Sequence, residues 1–287
     1  MPWNSTDPAL ERQRDQLLDA IRDYGRVAVA FSGGIDSTVV AQAAHLALGD
    51  RAVAVTAVSN SLASGELEDA QNLATRIGIA HKIIQTNEFA NPDYLRNQPD
   101  RCYHCKTELY SRLTTMRDEL AVDVIASGTN ADDAGDYRPG LQAASENQVR
   151  HPLLECGFSK EVVRALARAW DLPTWDKPAS PCLSSRVAYG EAVTPERVQR
   201  IDAAERWLRA QGLRTVRVRY HAGDLARIEI ALEALPRFAG TELGHELARE
   251  FKSLGFHFVT LDLEGFRSGS LNALVNLEST LLTKPRA

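Results

Sequence analysis

The sequence predicts an α/β protein, with a parallel-sheet domain followed by a smaller α+β domain. Three observations favour this fold class. In the first part of the chain, short apolar segments alternate with helix-length segments, as in parallel sheets covered by helices. A stretch rich in proline, serine and glycine follows, over residues 173–195. After it, the predicted elements run helix, strand, strand, helix, strand.

The first domain is predicted to begin with a helix, because Leu10, Leu17, Leu18 and Ile21 recur at helical spacing. Four short segments are predicted as strands: "VAVAFS" (27–32), which is apolar and expected to be buried, "AVAVTAV" (52–58), "HKIIQT" (81–86) and "VDVIASGT" (122–129). Further helices are predicted from residue 36 to a cap at Gly49, from about residue 64 to 78, and over 159–170.

In the second domain, Thr194 is predicted as the N-cap and Pro195 as the first residue of a helix that runs to Gly212. The segments after it are "TVRVRYH", "LARIEIAL", "ELGHELAREFKSLG" and "HFVTLDLE". The predicted boundaries are 1–176 for the first domain, 177–193 for an active-site loop or linker, and 194–287 for the second domain.

Composition narrows the class of protein. The chain has 287 residues, 44% of them hydrophobic and 25% charged, a composition typical of globular proteins. A formal net charge of -5 does not favour broad nucleic-acid binding. The N-terminus lacks the pattern of a secretory signal, and no apolar run approaches the roughly 20 residues of a membrane span. We therefore expect a cytoplasmic protein whose cysteines stay reduced.

The stretch "VAVAFSGGIDSTVV" carries the strongest motif, because a buried strand leads through Ser32, Gly33, Gly34, Asp36 and Ser37 into a helix. Glycines let the backbone approach a ligand, and the N–H groups at a helix start form an anion site. No lysine follows as in a Walker A loop. The motif resembles the PP-loop of ATP pyrophosphatases, which implies cleavage of ATP between its α and β phosphates, with Asp36 near Mg²⁺.

A second loop, "SGTNADDAGDYRPG" (127–140), follows the fourth predicted strand, at the edge of the sheet where open α/β folds bind ligands. Beside a PP-loop, these residues are predicted to form a second wall of the nucleotide site, with the carboxylates as candidate metal ligands; the alternative is a solvated acidic loop. The candidates are Gly128, Thr129, Asn130, Asp132 and Asp133.

Four cysteines are present. Cys102 and Cys105 are spaced C-x-x-C at a predicted helix start, where the pair alone is compatible with a redox disulfide, half of a metal site or sulfur transport. Cys182 lies in "KPASPCLSSR", beside prolines, serines and Arg186. These neighbours are unusual for a core cysteine, and an arginine nearby would favour the thiolate.

Taken together, "SGGIDS", the C-x-x-C, "SGTNADD", "KPASPCLSSR" and "GFRSGSLN" resemble the LarE family of ATP-dependent sulfur transferases, over nearly the whole chain. The resemblance implies adenylylation of a carboxylate of pyridinium-3,5-biscarboxylic acid mononucleotide and its conversion to a thiocarboxylate. This reaction belongs to assembly of the nickel-pincer nucleotide cofactor of lactate racemase. The family also implies a homo-oligomer, specifically a hexamer; the sulfur donor stays open.

The resemblance implies that Cys182 carries the sulfur. Some members sacrifice this cysteine and retain dehydroalanine, whereas others have two further cysteines, as this chain does. We therefore predict that Cys102, Cys105 and Cys182 ligate a 4Fe–4S cluster with one iron open to exogenous sulfide, and we keep sacrifice of Cys182 as the alternative. Cys156 matches no motif and is predicted to be structural.

In "RTVRVRYH", strand alternation predicts Arg217 and Arg219 on one face. Two guanidiniums there would bind a phosphate or carboxylate, or else form an ordinary solvated face; the family favours the anion site. Weaker candidates for ligand contacts are Glu229, Asp262, Arg267, Trp175 and Tyr103.

Two other functions are compatible with parts of the sequence. A tRNA thiolation enzyme would also have a PP-loop, a C-x-x-C and a distant cysteine, but the acidic net charge and "KPASPCLSSR" count against it. A non-catalytic nucleotide-binding module with a structural zinc at Cys102 and Cys105 needs two more ligands. His104 lies inside the pair, where it suits a zinc site poorly.

Overall fold

A computed structural model describes residues 3–133, 139–178 and 180–267 of the chain. It divides into two compact units. The first unit comprises Met1–Glu88 and Cys102–Ser180, and the second comprises Phe89–Arg101 and Pro181–Ala287. In chain order, the helices of the described residues are α1 (Pro8–Arg22), α2 (Ile35–Leu48), α3 (Glu66–Ile77), α4 (Pro92–Leu95), α5 (Arg101–Thr115), α6 (Arg117–Leu120), α7 (Pro139–Glu146), α8 (Pro152–Glu155), α9 (Lys160–Ala169), α10 (Pro195–Ala210) and α11 (Glu242–Ser253).

The first unit contains a four-stranded, all-parallel sheet in the order β3-β2-β1-β4, which confirms the predicted fold class. Its strands are β1 (Val27–Ala30), β2 (Ala52–Val58), β3 (Ala80–Gln85) and β4 (Val124–Ala126). The central strand β1 pairs with β2 on one side and with β4 on the other. The loop that follows β1 therefore emerges in the middle of the sheet edge, where ligands bind in such folds.

Helices cover both faces of this sheet. Side chains alternate along β1, so that Val29 belongs to one hydrophobic cluster and Ala28 to the other. The first cluster includes Leu17 of α1, Val39 of α2 and Leu166 of α9. The second includes Leu113 of α5, Ile125 of β4 and Ala143 of α7. Because both faces of the sheet are buried at β1 and β4, these strands are apolar throughout, which explains why they could be identified from the sequence, whereas the edge strand β3 contains His81, Lys82 and Gln85.

The second unit contains a three-stranded sheet of β5 (Val216–His221), β6 (Leu225–Ile230) and β7 (Phe258–Leu261). Strands β5 and β6 are antiparallel, whereas β6 and β7 are parallel. As predicted, Thr194 caps α10, and its hydroxyl accepts a hydrogen bond from the N–H of Arg197 at 3.3 Å. Together with α11, these elements give the predicted α-β-β-α-β order.

The predicted boundaries differ from the two units. Residues 89–101 were expected in the first domain, but they belong to the second unit. The buried side chain of Asn97 explains this, because its amide donates to the carbonyls of Val187 (3.2 Å), Ala188 (2.8 Å) and Glu191 (3.0 Å). These partners are about ninety positions away in the chain, so no local pattern predicts the contact.

The predicted loop over 177–193 contains short regular elements among its described residues. Residues Leu183–Arg186 form a 3₁₀ turn, and Val187 pairs with Tyr220 of β5 in a parallel bridge. Residues 268–287 of the predicted second domain lie outside the described residues, as does much of the "GFRSGSLN" motif. Among the helices that the structure describes, none has the length and apolar character needed to cross a membrane.

Candidate functional site

The phosphate loop, residues 32–37, connects β1 to α2. The N–H of Phe31 donates to the carbonyl of Val55 at 2.8 Å, which extends the sheet pairing up to the first residue of the loop. Gly33 then adopts φ +69°, a left-handed conformation that favours glycine, with the backbone of Ala70 close by. The chain turns there, and α2 begins at Ile35 with its first N–H groups at this edge of the sheet.

The two serines stabilise the turn. The Ser37 hydroxyl donates to the carbonyl of Gly34 at 3.0 Å and accepts from the N–H of Ser32 at 3.2 Å. The hydroxyls of Ser32 and Ser37 lie 3.2 Å apart. The loop thus presents backbone N–H groups, hydroxyls and a helix N-terminus together, which is a suitable arrangement for binding phosphate.

Asp36 lies in the first turn of α2 and has two partners from distant parts of the first unit. Its Oδ1 accepts from the Asn130 amide at 3.0 Å, and its Oδ2 accepts from Nζ of Lys160 at 2.5 Å. The N–H of Lys160 donates to Oδ2 of Asp132 at 2.8 Å, so the two predicted carboxylates share Lys160 as a neighbour. Carboxylate oxygens are hard donors that suit Mg²⁺.

Gly128 explains how the second loop approaches the phosphate loop. A Cβ atom at Gly128 would lie 2.6 Å from the backbone nitrogen of Ser37 and 2.8 Å from the carbonyl carbon of Asp36. Only glycine permits this separation. The structure therefore brings the predicted residues Gly128, Thr129 and Asn130 against the start of α2, within one unit.

Lys160 is a candidate that the sequence analysis missed. It is the first residue of α9, which follows the N-cap Ser159, and its side chain is 35% exposed. The phosphate loop itself lacks a lysine, yet Lys160 brings an ammonium group to Asp36 from 124 residues away. No motif indicates this contact, because it depends on the packing of α9 against α2.

The cysteines have different environments. Cys102 is exposed and Cys105 is half-buried, and they are the second and fifth residues of α5, which confirms the predicted helix start. Cys156 packs against the first hydrophobic cluster. Burial raises the pKa of the Cys156 thiol to about 11, and Glu155 adds to the increase. A thiol with so high a pKa is a poor nucleophile, which supports a structural role.

Cys182, in the second unit, is exposed and precedes the 3₁₀ turn. Arg186 was expected to assist its thiol, but the structure gives this arginine other partners. The guanidinium is fully buried, donating from Nε to Glu205 at 3.0 Å and from Nη1 to the Cys182 carbonyl at 2.8 Å. Among the described contacts, Arg186 touches the backbone of Cys182 and not its sulfur.

The predicted arginines of β5 are buried. Arg217 is 9% exposed and Arg219 is 6% exposed, which excludes the alternative of a solvated strand face. Arg219 donates to Oε2 of Glu229 from Nε (3.1 Å) and Nη2 (2.9 Å). Glu229, one of the weaker predicted candidates, is also fully buried and pairs with Arg227 at 3.2 Å.

Arg217 lies in a cationic environment. Burial lowers the pKa of its guanidinium to about 10, and the nearby charge of Arg186 adds to the decrease, while Glu205 opposes it. The two further arginines that lower this pKa are Arg219 and Arg209. Glu205, whose carboxylate contacts Arg186, Arg209 and the N–H of Val218, was missed by the sequence analysis. An anion bound here would offset the mutual repulsion of the arginines.

The remaining predicted contacts have partners of their own. The Arg168 guanidinium stacks on Trp175 at 4.0 Å, and the Tyr103 hydroxyl donates to Glu146 at 2.8 Å. Asp262 pairs with Arg227, and Arg267 pairs with Glu264. Within the part of the chain that is described, no three Cys, His, Asp or Glu side chains gather as a metal site. Cys102 and Cys105 belong to the first unit and Cys182 to the second, so the cluster stays a prediction.

Comparisons with known proteins agree with the geometry of the phosphate loop. The NAD synthase family profile matches residues 10–106. An uncharacterized protein from Synechocystis sp. is 48% identical over 93% of this chain and 99% of its own length. The pyridinium-3,5-bisthiocarboxylic acid mononucleotide synthase of Lactiplantibacillus plantarum is 41% identical over 92% of this chain and 95% of its own length. The chain belongs to the LarE family.

It is therefore an ATP-dependent sulfur transferase with a PP-loop domain. The tRNA-specific 2-thiouridylase MnmA of Acidiphilium cryptum is also similar, but it is 28% identical over 58% of this chain and 60% of its own length. The similarity to tRNA thiolation enzymes thus covers part of the chain, whereas the similarity to the LarE relative extends over nearly all of it.

Proposed function

We propose that this chain adenylylates a carboxylate of pyridinium-3,5-biscarboxylic acid mononucleotide and converts it to a thiocarboxylate. The full-length similarity to the Lactiplantibacillus plantarum synthase supports this substrate. The observation that carries the chemistry is the phosphate loop, in which Asp36 lies between Asn130 and Lys160 at the start of α2.

In the first half of the reaction, a carboxylate oxygen of the substrate attacks the α-phosphorus of ATP. The bond to the bridging oxygen breaks, and pyrophosphate leaves with the electron pair. The N–H groups at the start of α2 and the hydroxyls of Ser32 and Ser37 bind the anionic leaving group. Lys160 supplies the positive side chain that the loop lacks, so that charge growing on the phosphate oxygens is balanced.

Asp36 and Asp132 are the residues that would hold Mg²⁺, since both present carboxylate oxygens beside Lys160. When bound, Mg²⁺ neutralises charge on the phosphate oxygens. Arg217 and Arg219 bind the anionic substrate in the second unit, supported by the buried carboxylates of Glu205 and Glu229.

In the second half, a sulfur nucleophile attacks the acyl carbon of the adenylate, AMP leaves, and the thiocarboxylate remains. Three thiols fit an iron–sulfur cluster in donor chemistry: Cys102 and Cys182 are exposed, and Cys105 is half-buried. A 4Fe–4S cluster held by them would supply an iron coordination position for exogenous sulfide. The alternative source of sulfur is Cys182 itself, which would become dehydroalanine.

Purified protein incubated with ATP and Mg²⁺ tests the proposed function. Pyridinium-3,5-biscarboxylic acid mononucleotide should stimulate release of AMP and pyrophosphate, and mass spectrometry should detect the thiocarboxylate. Stimulation by tRNA instead would favour the thiouridylase activity named for the more distant relatives. Formation of ADP and orthophosphate as first products would contradict the proposal.

The sulfur source requires a separate experiment. Anaerobic reconstitution with iron and sulfide should produce visible absorbance in the wild type and in Cys156→Ala, but not in Cys102→Ala. Loss of hydrogen sulfide from Cys182 after turnover, detected by mass spectrometry, would instead support sacrifice of that residue. The predicted hexamer is tested by light scattering on the same preparation.

A further inference from the structure

A chain of three polar side chains lies beside the phosphate loop and includes a histidine for which the proposed reaction has no role. Nδ1 of His151 lies 2.7 Å from the Ser127 hydroxyl, which lies 3.3 Å from the Thr129 hydroxyl. His151 follows the bridge between Ala126 and Arg150, which brings it to the end of β4. Ser127 is 6% exposed, so this hydrogen-bond chain is shielded from solvent at its centre.

One end of this hydrogen-bond chain, Thr129, lies at the proposed nucleotide site. Gly128, between Ser127 and Thr129, approaches Ser37 so closely that a Cβ would lie 2.6 Å from its backbone nitrogen. Asn130, the residue after Thr129, donates to Asp36. The Thr129 side chain is therefore on the segment that adjoins the phosphate loop, whereas His151 is set back behind Ser127.

Proton counting permits two hydrogen-bond directions. Each hydroxyl has one proton, and a neutral imidazole has one donor and one acceptor nitrogen. If Ser127 donates to Nδ1 of His151, then Thr129 must donate to Ser127, which leaves Thr129 only lone pairs for a ligand. If Nδ1 of His151 instead carries a proton, it donates to Ser127, and the Ser127 proton is released to bond Thr129, whose own proton can then turn to a ligand. Protonated His151 has a proton on both nitrogens, which removes the acceptor that fixes the first direction.

The buried surroundings of His151 disfavour its protonated form. Burial lowers the pKa of His151, Glu155 opposes the decrease, and Lys106 adds to it. Glu155 is itself bound by Arg150 through two hydrogen bonds of 2.8 and 2.7 Å, which compensates its charge. Lys106 comes from α5 and Glu155 from α8, so groups from both neighbouring helices act on the ring.

We propose that neutral His151 is a positioning residue that makes the Thr129 hydroxyl a hydrogen-bond acceptor for the bound nucleotide. This inference rests on the proposed use of ATP. The group that Thr129 recognises is a donor of the nucleotide, either a ribose hydroxyl or the amino group of adenine. Protonation of His151 would remove the acceptor for the Ser127 proton, release Thr129 from its fixed orientation and weaken this recognition.

Direct measurement of the tautomer is the first test, because it needs neither ligand nor turnover. Nitrogen-15 NMR of the wild type at neutral pH should show His151 with its proton on Nε2, and His151→Asn should assign the signal by its loss. A proton on Nδ1 at neutral pH would overturn the proposal, because Ser127 would then have no acceptor on His151 and Thr129 would not be held as an acceptor for the ligand.

Calorimetric titration with ATP is the second test. His151→Leu should weaken binding roughly three- to tenfold near pH 8, and His151→Asn should restore part of the loss because its carbonyl oxygen accepts without titrating. As pH falls below about 6.5, the wild type should lose affinity relative to His151→Asn, because the pKa of His151 is lowered from its usual value, while protonation of ATP affects both proteins alike. The exposed His245→Asn should follow the wild type. Equal pH profiles in wild type and His151→Asn would contradict the proposal.

The nucleotide group is identified with analogues. If Thr129 accepts from the ribose, Thr129→Val should weaken ATP binding but not binding of the matching deoxy analogue. If it accepts from adenine, purine riboside triphosphate should be the analogue that is insensitive to Thr129→Val. Equal sensitivity for every analogue would contradict the acceptor role. Absence of ATP binding by the wild type would contradict the proposed function, while the tautomer would still decide the hydrogen-bond direction.

Discussion

The phosphate loop of the first unit and the two arginines of β5 in the second unit both offer positive charge to an anion, but with different groups. The phosphate loop uses backbone N–H groups, two serine hydroxyls and the start of α2, together with a partly exposed Lys160. The β5 arginines are buried and are compensated by the buried carboxylates of Glu205 and Glu229. The first region is built mainly by contiguous backbone geometry, with Lys160 added from elsewhere in the chain, and the second by buried ion pairs.

Because of this difference, we expect mutations in one region to affect mainly activity and mutations in the other to affect mainly stability. Polar backbone groups at a helix start are already satisfied by solvent when no ligand is present, so a change in the phosphate loop affects chemistry more than folding. Buried guanidiniums depend on their carboxylates, because an unpaired buried charge is strongly destabilising. Mutations in the two regions should therefore have opposite profiles of activity and stability.

The largest effect is expected in the phosphate loop. Asp36→Ala should reduce AMP formation at least about a thousandfold, roughly 4 kcal/mol, because it removes a candidate Mg²⁺ ligand and the partner of Lys160. Its melting temperature should stay close to that of the wild type, since Lys160, which would lose its partner, has a side chain that is 35% exposed and can be solvated. The exposed Asp50→Ala is the matched control and should keep full activity. Unfolding of Asp36→Ala would remove the distinction between the two regions.

The second effect is on stability. Glu205→Ala should lower the free energy of unfolding of the second unit by about 3 kcal/mol, because Arg186 would remain buried without its carboxylate. The exposed Glu246→Ala, in the same unit, should change it by less than about 0.5 kcal/mol. Denaturant unfolding followed by hydrogen exchange in β5 measures both. A fully stable Glu205→Ala would show that the arginines do not need this partner.

The two regions also differ in how far the sequence predicts them. Residues 32–37 are contiguous, so the strand, the two glycines and the helix start could be recognised together. The β5 arginines were identified by alternation alone, which does not distinguish a buried strand from a solvated one. Glu205 had a detectable signal, because it shares the buried face of α10 with Val198, Ile201 and Leu208. A carboxylate on an apolar helix face requires a buried partner.

Other residues had no such signal. Lys160 reaches Asp36 across 124 positions, and Asn97 binds carbonyls about ninety positions away. These contacts depend on tertiary packing, which periodicity and capping do not describe. The same limit explains the boundary of the units, where residues 89–101 join the second unit although the chain around them follows the pattern of the first.

The third effect tests the anion site directly. Arg217→Ala should weaken use of the pyridinium substrate about tenfold or more, because each charge-assisted hydrogen bond contributes roughly 1.5–3 kcal/mol. Affinity for ATP should change little, since the phosphate loop belongs to the other unit. Arg214→Ala, an exposed arginine just before β5, is the matched control. Steady-state kinetics, with each substrate varied separately, measures both effects. Equal kinetics for Arg217→Ala and Arg214→Ala would contradict the assignment of Arg217 to the anion site.

The smallest effect concerns a carboxylate near the surface of the first unit, where ion pairs should matter less than at Glu205. Burial opposes ionisation of Glu155, but hydrogen bonds from Arg150, Tyr24 and the N–H of His151 outweigh it and lower its pKa to about 2. A pKa below the unfolded value of 4.5 stabilises the protein above about pH 4.5, and this contribution is lost as pH falls towards 2.

Glu155→Gln should therefore lower the free energy of unfolding by about 1–2 kcal/mol at neutral pH. This is less than the full pKa shift would give, because the Arg150 side chain is 51% exposed and solvent screens its charge. The difference from the wild type should shrink as pH falls from about 4.5 towards 2, because the wild-type carboxylate then becomes protonated as well. Denaturant unfolding at several pH values measures this, with the exposed Glu161→Gln as control. A difference that stayed constant down to about pH 2 would mean that Glu155 acts through packing and not through its charge.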